Sequence, residues 1–303
     1  MKLLEKSSFC YNGNMLEIFC AIYPEAKILI RNLKLKKEHT NLKWDRFINE
    51  EKTVRLTLTG VGKTNAISAI TTTLLDSKEP FVMSFGSAAY LKEMSFDLYQ
   101  ASCICDIDTG IAYYPDLIFD FECKECGFLT GSQLLSTKGN SRMTIDPSIN
   151  LKTYLDMISK EYSAYQLYDT ESSAIYKACN TFVGPHEMLF LRFPSDCDAS
   201  SITSDEITSK VELLYPKIES IITKILSSQT NNEESIDKCV DSFKQHIHAS
   251  KNICDQIDQF IRYCETIHID YKKIIQELLE TEIRDKDDGK KVFYEFQKKC
   301  YEA

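Results

Sequence analysis

The feature that most constrains the fold is a change in hydrophobic patterning about two-thirds of the way along the chain. Before residue 205, short apolar runs of strand length alternate with stretches of helical spacing, and after it the β-rich runs stop. We predict strands at 15–21, 54–59, 81–85 (closed by Gly86), 98–105, 127–136, 164–168 and 188–193, and helices at 63–76, 151–161 and 172–180. Strands interleaved with helices predict an α/β fold with a central sheet.

The last third of the chain predicts helices alone. Apolar residues recur at helical spacing over 207–226, where Pro216 is expected to kink the helix. The polar segment SSQTNNEES at 227–235 is expected to be a linker. Further helices are predicted near 236–249, 251–266, 269–284 and 290–302, with a break at DKDDG (285–289). We therefore predict an α/β domain over 1–228 and an all-helical extension over 229–303.

Charge and apolar length limit the kinds of partner. The chain has 303 residues, with 36 Lys and Arg against 45 Asp and Glu, a net charge of −9. An acidic chain is a poor binder of phosphate backbones, so we expect no nucleic-acid partner. The longest apolar stretch, 15–30, is interrupted by charged residues and a proline, so we expect no membrane partner. The N-terminus lacks the apolar core of a signal peptide, and a cytoplasmic location with reduced cysteines is the expectation.

A glycine turn at Gly60 and Gly62, followed by Lys63, resembles a phosphate-binding loop at first sight. The P-loop pattern needs a further glycine five residues before Gly62, and that position is Thr57. We therefore interpret the turn as one that lets the following helix pack close to the sheet.

Four cysteines raise the question of zinc. Cys103 and Cys105 share one face of a predicted strand, and Cys123 and Cys126 have the C-x-x-C spacing. One arm lacks the usual zinc-binding form, and partly buried free thiols are the favoured interpretation. Whether these four bind metal stays open, and we otherwise predict no metal and no cofactor.

Polar residues follow several predicted strands at the points where those strands end: Glu25, Ser87, Glu171, Arg192 and Asp196. In open α/β sheets, ligands bind beyond the carboxyl ends of the strands. Each residue taken alone is more simply a cap or a solvated loop residue. Together they predict one polar binding site.

Six short segments in order carry a resemblance to a known family: AIYPE (21–25), TGVGKTNA (59–66), FGSAA (85–89), TGS (130–132), DTESSAI (169–175) and RFPSDCD (192–198). Over about residues 15–228 the chain resembles the superfamily of purine nucleoside phosphorylases and 5′-methylthioadenosine/S-adenosylhomocysteine nucleosidases, and it is more similar to the nucleosidase branch. The resemblance implies a mixed central sheet flanked by helices. It does not extend over 229–303.

The resemblance also implies the catalytic roles. Glu25 is expected to act as the general base that activates a water, and Asp196 to protonate N7 of the purine, positioned by Ser195. Such chemistry suits these residue types, because breaking an N-glycosidic bond leaves positive charge on the ribose and negative charge on the base. An acid that keeps its proton near neutral pH needs a raised pKa, which we expect for Asp196.

Substrate-binding roles are implied in the same way. Ser87 and Arg192 are expected to help hold the water and the ribose, and Glu171 to accept hydrogen bonds from the ribose hydroxyls. Thr170 stands where the family usually has Met under the ribose, and Leu134 where an aromatic commonly stacks on the purine. These departures affect the choice of substrate more than the chemistry.

The resulting prediction is an enzyme that hydrolyses the N-glycosidic bond of a purine nucleoside resembling 5′-methylthioadenosine or S-adenosylhomocysteine and releases adenine. The alternatives are a purine nucleoside phosphorylase, a nucleosidase acting on a nucleotide, and a degenerate nucleoside-binding module that acts through its helical tail. The arginine pattern that phosphorylases use for phosphate is not evident, which favours hydrolysis. By resemblance we expect a homodimer.

Overall fold

The computed structural model describes residues 15–77, 80–132, 151–195, 202–229, 238–267 and 269–302. Ten strands are described: β1 (Leu16–Cys20), β2 (Lys36–Lys37), β3 (Arg46–Ile48), β4 (Val54–Leu58), β5 (Phe81–Tyr90), β6 (Tyr99–Asp106), β7 (Ala112–Tyr113), β8 (Lys124–Thr130), β9 (Tyr165–Asp169) and β10 (Met188–Pro194). The α-helices are α1 (Tyr23–Asn32), α2 (Lys63–Leu74), α3 (Leu151–Glu161), α4 (Ser172–Cys179), α5 (Ser204–Gln229), α6 (Lys238–His246), α7 (Lys251–Thr266), α8 (Tyr271–Leu278) and α9 (Lys286–Glu302). A 3-10 turn, Pro185–Glu187, precedes β10.

All ten strands join one mixed sheet. Strand β1 lies between β4 and β5 and is parallel to both, and β3 and β2 extend the sheet outward from β4. On the other side, β5, β10, β6, β8 and β9 pair in a closed ring, because β10 pairs with both β5 and β6. Closure removes the exposed edge from this half of the sheet.

Helices cover both faces of the sheet. Strand β1 (LEIFC) is buried along its whole length, as expected for a strand covered on both sides. On one face, α1 and α5 pack in a cluster that includes Ile28, Leu29, Val211 and Ile218. On the other, α2 and α4 pack in a second cluster. The predicted α/β class, a central sheet flanked by helices with further helices at the C-terminus, is confirmed.

The third predicted strand is twice as long as expected. The predicted strand ends before Gly86, whereas β5 continues through Gly86 to Tyr90. The small residues there still pair with β10, with Gly86 opposite Arg192 and Ala88 opposite Pro194. Strand pairing, which a single-chain pattern does not reveal, overrides the glycine as a turn signal.

Helix boundaries also differ from the predictions. Helix α1, which was not among the predicted helices, begins at Tyr23. Pro24 lies in its first turn, where the missing N–H of a proline costs nothing. Helix α5 runs as one element from 204 to 229, with Pro216 inside it. The helix break expected at 285–289 is wrong for 286–289, because α9 starts at Lys286. Asp285 caps this helix, since its carboxylate accepts from the backbone N–H groups of Asp287 and Asp288, both at 2.9 Å.

The C-terminal helices have a hydrophobic cluster of their own, drawn from residues 240–300 and including Phe243, Phe260 and Phe296. Their described contacts with the turn before β10 are an ion pair and a ring contact. Arg262 Nε donates to Glu187 Oε1 at 2.5 Å. The rings of Tyr263 and His186 pack edge to face, with their centroids 5.5 Å apart. The division of the chain at 228/229 stays a prediction.

Candidate active site

A cavity opens where β1, β5 and β10 approach α1 and α4. About 230 Å³ of space not filled by protein atoms lies there, part of it open to solvent. Its lining mixes apolar walls with a few buried charges, the usual composition of a small-molecule site. The lining residues are Phe19, Ala21, Glu25, Thr59, Ser84, Phe85, Gly86, Ser87, Glu171, Ile175 and Arg192.

Glu25 presents a buried carboxylate to this cavity and is only 3% exposed. Oε1 accepts from the backbone N–H of Ser87 at 2.8 Å and from its hydroxyl at 2.7 Å. Oε2 accepts from the N–H groups of Ala21 at 3.2 Å and Ile22 at 3.3 Å. Burial raises the pKa of Glu25 above its ordinary value, although the Ser87 hydrogen bonds and the positive charge of Arg192 oppose the shift. A carboxylate with a raised pKa and a fixed orientation is suited to accept a proton.

Gly86 leaves the space that this carboxylate occupies. A Cβ at that position would lie 3.0 Å from Oε1 of Glu25 and 3.2 Å from its Cδ. The neighbour there is a buried side chain held by four hydrogen bonds, so it has little freedom to move aside. A larger residue at position 86 would therefore force strand β5 or the Glu25 carboxylate to shift by a few tenths of an ångström.

Glu171 is the second carboxylate of the cavity and lies just before α4. Its Oε1 accepts from the backbone N–H of Gly62 at 2.7 Å and from the hydroxyl of Thr170. Gly62 has φ 95°, a left-handed conformation that favours glycine, and it turns its N–H toward the carboxylate at the start of α2. Burial first, and the nearby charge of Asp169 second, raise the pKa of Glu171 to about 7.

Arg192 supplies the positive charge. Its Nε donates to Asp169 Oδ2 at 2.9 Å, and Nη2 donates to the hydroxyls of Ser84 at 3.0 Å and Ser172 at 2.9 Å. Nη1 donates to the Leu191 carbonyl at 2.9 Å. Four of the five guanidinium N–H groups are therefore used within the protein, and the side chain is 3% exposed.

Four residues singled out from the sequence, Glu25, Ser87, Glu171 and Arg192, line this one cavity. Two others are nearby but do not line it. Thr170 donates to Glu171 from beside the cavity, and the backbone N–H and hydroxyl of Ser195 are both directed to the Ala88 carbonyl. The remaining two predicted site residues, Leu134 and Asp196, lie outside the described residues.

Sequence reasoning missed the support behind these groups. Asp169 holds Arg192 through its carboxylate, and Ser84 holds it from within β5. Asp169 is the first residue of the DTESSAI segment (169–175), directly before Thr170, so its place in that segment could have marked it as a site residue. Ser84 had none, because a serine inside an apolar run carries no pattern of its own.

Two further observations concern metals and membranes. The described ranges contain no cluster of three or more His, Cys, Asp or Glu side chains that is suited to hold a metal ion. In the same part of the chain, none of the helices has the length and apolar character needed to span a bilayer.

Comparison with known proteins places the fold. No family model matches the chain, and no curated protein matches its sequence. Among solved structures, it is similar to a 5′-methylthioadenosine/S-adenosylhomocysteine nucleosidase from Neisseria meningitidis in complex with methylthio-immucillin-A, with 18% identity over 70% of this chain and 99% of the other and a TM-score of 0.54. It is also similar to a futalosine hydrolase of Helicobacter pylori (14% identity, 70% of this chain and 98% of the other, TM-score 0.54). A Streptococcus pneumoniae MTA/SAH nucleosidase in complex with 8-aminoadenine is similar as well, with 14% identity over 68% of this chain and 97% of the other and a TM-score of 0.54. This chain therefore shares the fold of these nucleoside hydrolases.

Proposed function

We propose that this protein hydrolyses the N-glycosidic bond of a purine nucleoside of the 5′-methylthioadenosine or S-adenosylhomocysteine type and releases free adenine. The observation that carries the proposal is the convergence of two buried carboxylates, Glu25 and Glu171, on one cavity. Both line it, although they are far apart in the chain. Similarity of fold to nucleosidases supports the same reaction class.

The chemistry follows from charge. As the bond from ribose to base breaks, the ribose gains oxocarbenium character and the base gains negative charge. Buried carboxylates beside the sugar favour the positive ribose. Glu25 takes a proton from the attacking water, and Ser87 keeps its carboxylate oriented through two hydrogen bonds.

Glu171 binds the ribose hydroxyls. Gly62 and Thr170 hold its Oε1, so Oε2 is the oxygen left to accept from the substrate. Thr170 acts from behind it, in the place where the family usually has Met. On the base side we propose that Asp196 protonates N7, that Ser195 positions it, and that Leu134 contacts the purine face.

Hydrolysis is favoured over phosphorolysis by what surrounds Arg192. A phosphate nucleophile needs free cationic donors, and Arg192 already directs four N–H groups to protein oxygens. The other two charged side chains that line the cavity, Glu25 and Glu171, repel a phosphate dianion. The same repulsion disfavours a nucleotide as substrate.

The test is the release of free base. Purified protein is incubated with methylthioadenosine, S-adenosylhomocysteine, adenosine, inosine and ATP, with and without inorganic phosphate, and the products are separated by chromatography. Adenine formed without phosphate is the expected result. Strict dependence on phosphate would replace hydrolysis by phosphorolysis, and tight binding without product would indicate a binding module.

We also propose that the protein is a homodimer. Val61 and Ile67, at the start of α2, and Ile111 and Tyr114, around β7, are large apolar side chains with 41–64% of their surface exposed. The two sets are linked, because the Asp106 N–H donates to the Ile111 carbonyl and the Asp106 carboxylate binds Lys63. A second copy that covers this surface would bury apolar area. Light scattering should give twice the chain mass, and Ile111→Asp should shift it toward the monomer.

A further inference from the structure

A second polar cluster lies beside the cavity and has no part in the chemistry described so far. At its centre, Lys63 Nζ lies 2.7 Å from Asp106 Oδ2 and 2.7 Å from Asp108 Oδ2. The Lys63 side chain is only 17% exposed and that of Asp106 only 11%. Burial alone would lower the pKa of Lys63, yet the hydrogen bonds of the two carboxylates raise it, so the ammonium keeps its charge.

The cluster is joined to the ribose-binding turn through the backbone. Lys63 is the first residue of α2 and directly follows Gly62, whose N–H donates to Glu171. Gly62 itself has φ 95° and contributes no side chain that fixes its position. The Lys63 side chain, anchored at Asp106 and Asp108, thus fixes the residue that follows Gly62, while Asn65 Nδ2 donates to the carbonyl of Val61, the residue before it, at 2.8 Å.

On its other side the cluster ties together the ends of parallel strands. Asp106, at the end of β6, accepts from the Ser173 hydroxyl at 2.7 Å, and Ser173 N–H donates to Thr130 Oγ1, at the end of β8, at 3.1 Å. Thr130 Oγ1 donates to Asp169 Oδ1 at 2.8 Å, and Asp169 holds Arg192. The hydrogen bonds therefore run without a gap from Lys63 to a charged residue of the cavity.

Asp108 extends the same cluster to the segment that follows β8, because it accepts from the hydroxyl of Ser132. Lys63 holds the two carboxylates together where they would otherwise repel each other. Without the ammonium, one nearly buried and one half-exposed carboxylate would face each other uncompensated, and they would move apart.

We propose that Lys63 is a positioning residue for nucleoside recognition: its contacts to Asp106 and Asp108 fix the Gly62 turn that aims Glu171 at the ribose hydroxyls. The inference rests on the proposed function and extends it to a residue that does not line the cavity. It assigns to Lys63 the discrimination between a ribonucleoside and a 2′-deoxyribonucleoside, which differ by the 2′-hydroxyl, one of the hydroxyls that Glu171 would bind.

The test compares Lys63→Met with Lys217→Met as a matched control. Lys217 also pairs with a carboxylate, Asp97, at 2.9 Å, and its side chain is 28% exposed, but it does not line the cavity. For each protein, kcat/KM is measured with adenosine and with 2′-deoxyadenosine. A small misplacement of a binding group costs on the order of 10²-fold, so we expect Lys63→Met to lower kcat/KM for adenosine by about 10- to 100-fold.

The ratio of kcat/KM for the two substrates is the readout that a general structural defect would not change. A loss of folded protein lowers both activities equally, whereas a misaimed Glu171 lowers the ribonucleoside activity more. We expect the preference for adenosine to fall at least fivefold in Lys63→Met, to be partly restored in Lys63→Arg and to be unchanged in Lys217→Met. An unchanged preference in a folded Lys63→Met protein overturns the assignment.

Two further measurements keep the outcome decisive. If Lys63→Met does not fold, Asp108→Asn, which keeps the Lys63–Asp106 pair, should show a smaller shift of the same preference, and no shift refutes the proposal. If the wild type releases no base, the affinities of adenosine and 2′-deoxyadenosine are measured by calorimetry instead. Binding with a Lys63-dependent preference would then support Lys63 while hydrolysis fails, and the absence of any binding would overturn both.

Discussion

Replacing Glu25 by Gln tests the catalytic base with the least change in shape. The carboxylate accepts four hydrogen bonds, two at each oxygen, and three of the donors are backbone N–H groups. A glutamine offers one acceptor oxygen and an NH₂ group. If its oxygen takes the Ser87 donors, the NH₂ faces the N–H groups of Ala21 and Ile22.

The expected effects on stability and activity have different sizes. Two donors left unsatisfied cost about 1–3 kcal/mol each. Burial of its charge is what raises the pKa of Glu25, so keeping the carboxylate ionised in the cavity is unfavourable. A neutral glutamine avoids this penalty, which offsets part of the cost of the unsatisfied donors. We therefore expect a loss of unfolding free energy below about 3 kcal/mol. Loss of a general base lowers kcat by about 10²–10⁴-fold.

The pH dependence of stability provides a second signature. A carboxyl whose folded-state pKa is raised binds more protons when folded, so the unfolding free energy falls as pH rises from the unfolded value of 4.5 through the folded pKa. The variant should lack this decrease, which chemical denaturation at several pH values would show.

The assay is adenine release from methylthioadenosine under saturating substrate, paired with denaturant unfolding. Glu187→Gln is the control, because Glu187 is also buried but binds Gly184 and Arg262 rather than the cavity. A folded Glu25→Gln protein whose kcat stays within tenfold of the wild type would refute the role of Glu25 as base.

Three further predictions follow from the geometry of the site and of the tail. Gly86→Ala places a Cβ 3.0 Å from Glu25 Oε1, so kcat should fall by about 10- to 100-fold with a stability loss of about 1–2 kcal/mol, measured by base release and thermal unfolding. Glu171 has its pKa raised to about 7 and binds ribose best as a carboxylate, so kcat/KM should fall as pH drops through 7, and a flat profile from pH 6 to 8 would contradict its role. Arg262→Ala removes the ion-pair partner of the nearly buried Glu187 carboxylate, which keeps the hydrogen bond from the Gly184 N–H, and should cost about 1–3 kcal/mol of unfolding free energy while kcat stays within twofold. An unchanged melting temperature would show that the ion pair contributes nothing.

Local patterns were sufficient for several of the elements. The apolar runs of β1 and β4 and the helical spacing of α2 and α4 are set by neighbours in the chain, so they could be predicted within a residue or two. Strand β5 could not, because its second half is held by pairing with β10 across about a hundred residues. Helix α1 was missed because its first turn follows directly on β1, with no polar residue to mark its start.

The candidate site divides in the same way. The sequence by itself determined which charged residues come close to predicted strand ends, Glu25, Glu171 and Arg192 among them, although Glu25 lies in the first turn of α1 and Arg192 within β10. Only the tertiary structure decided that Glu25 meets Ser87, that Arg192 is bound by Asp169, and that Lys63 bridges two carboxylates beside Gly62. These contacts join residues 23 to 62 positions apart, and their distances depend on the register and closure of the sheet, which no local pattern contains.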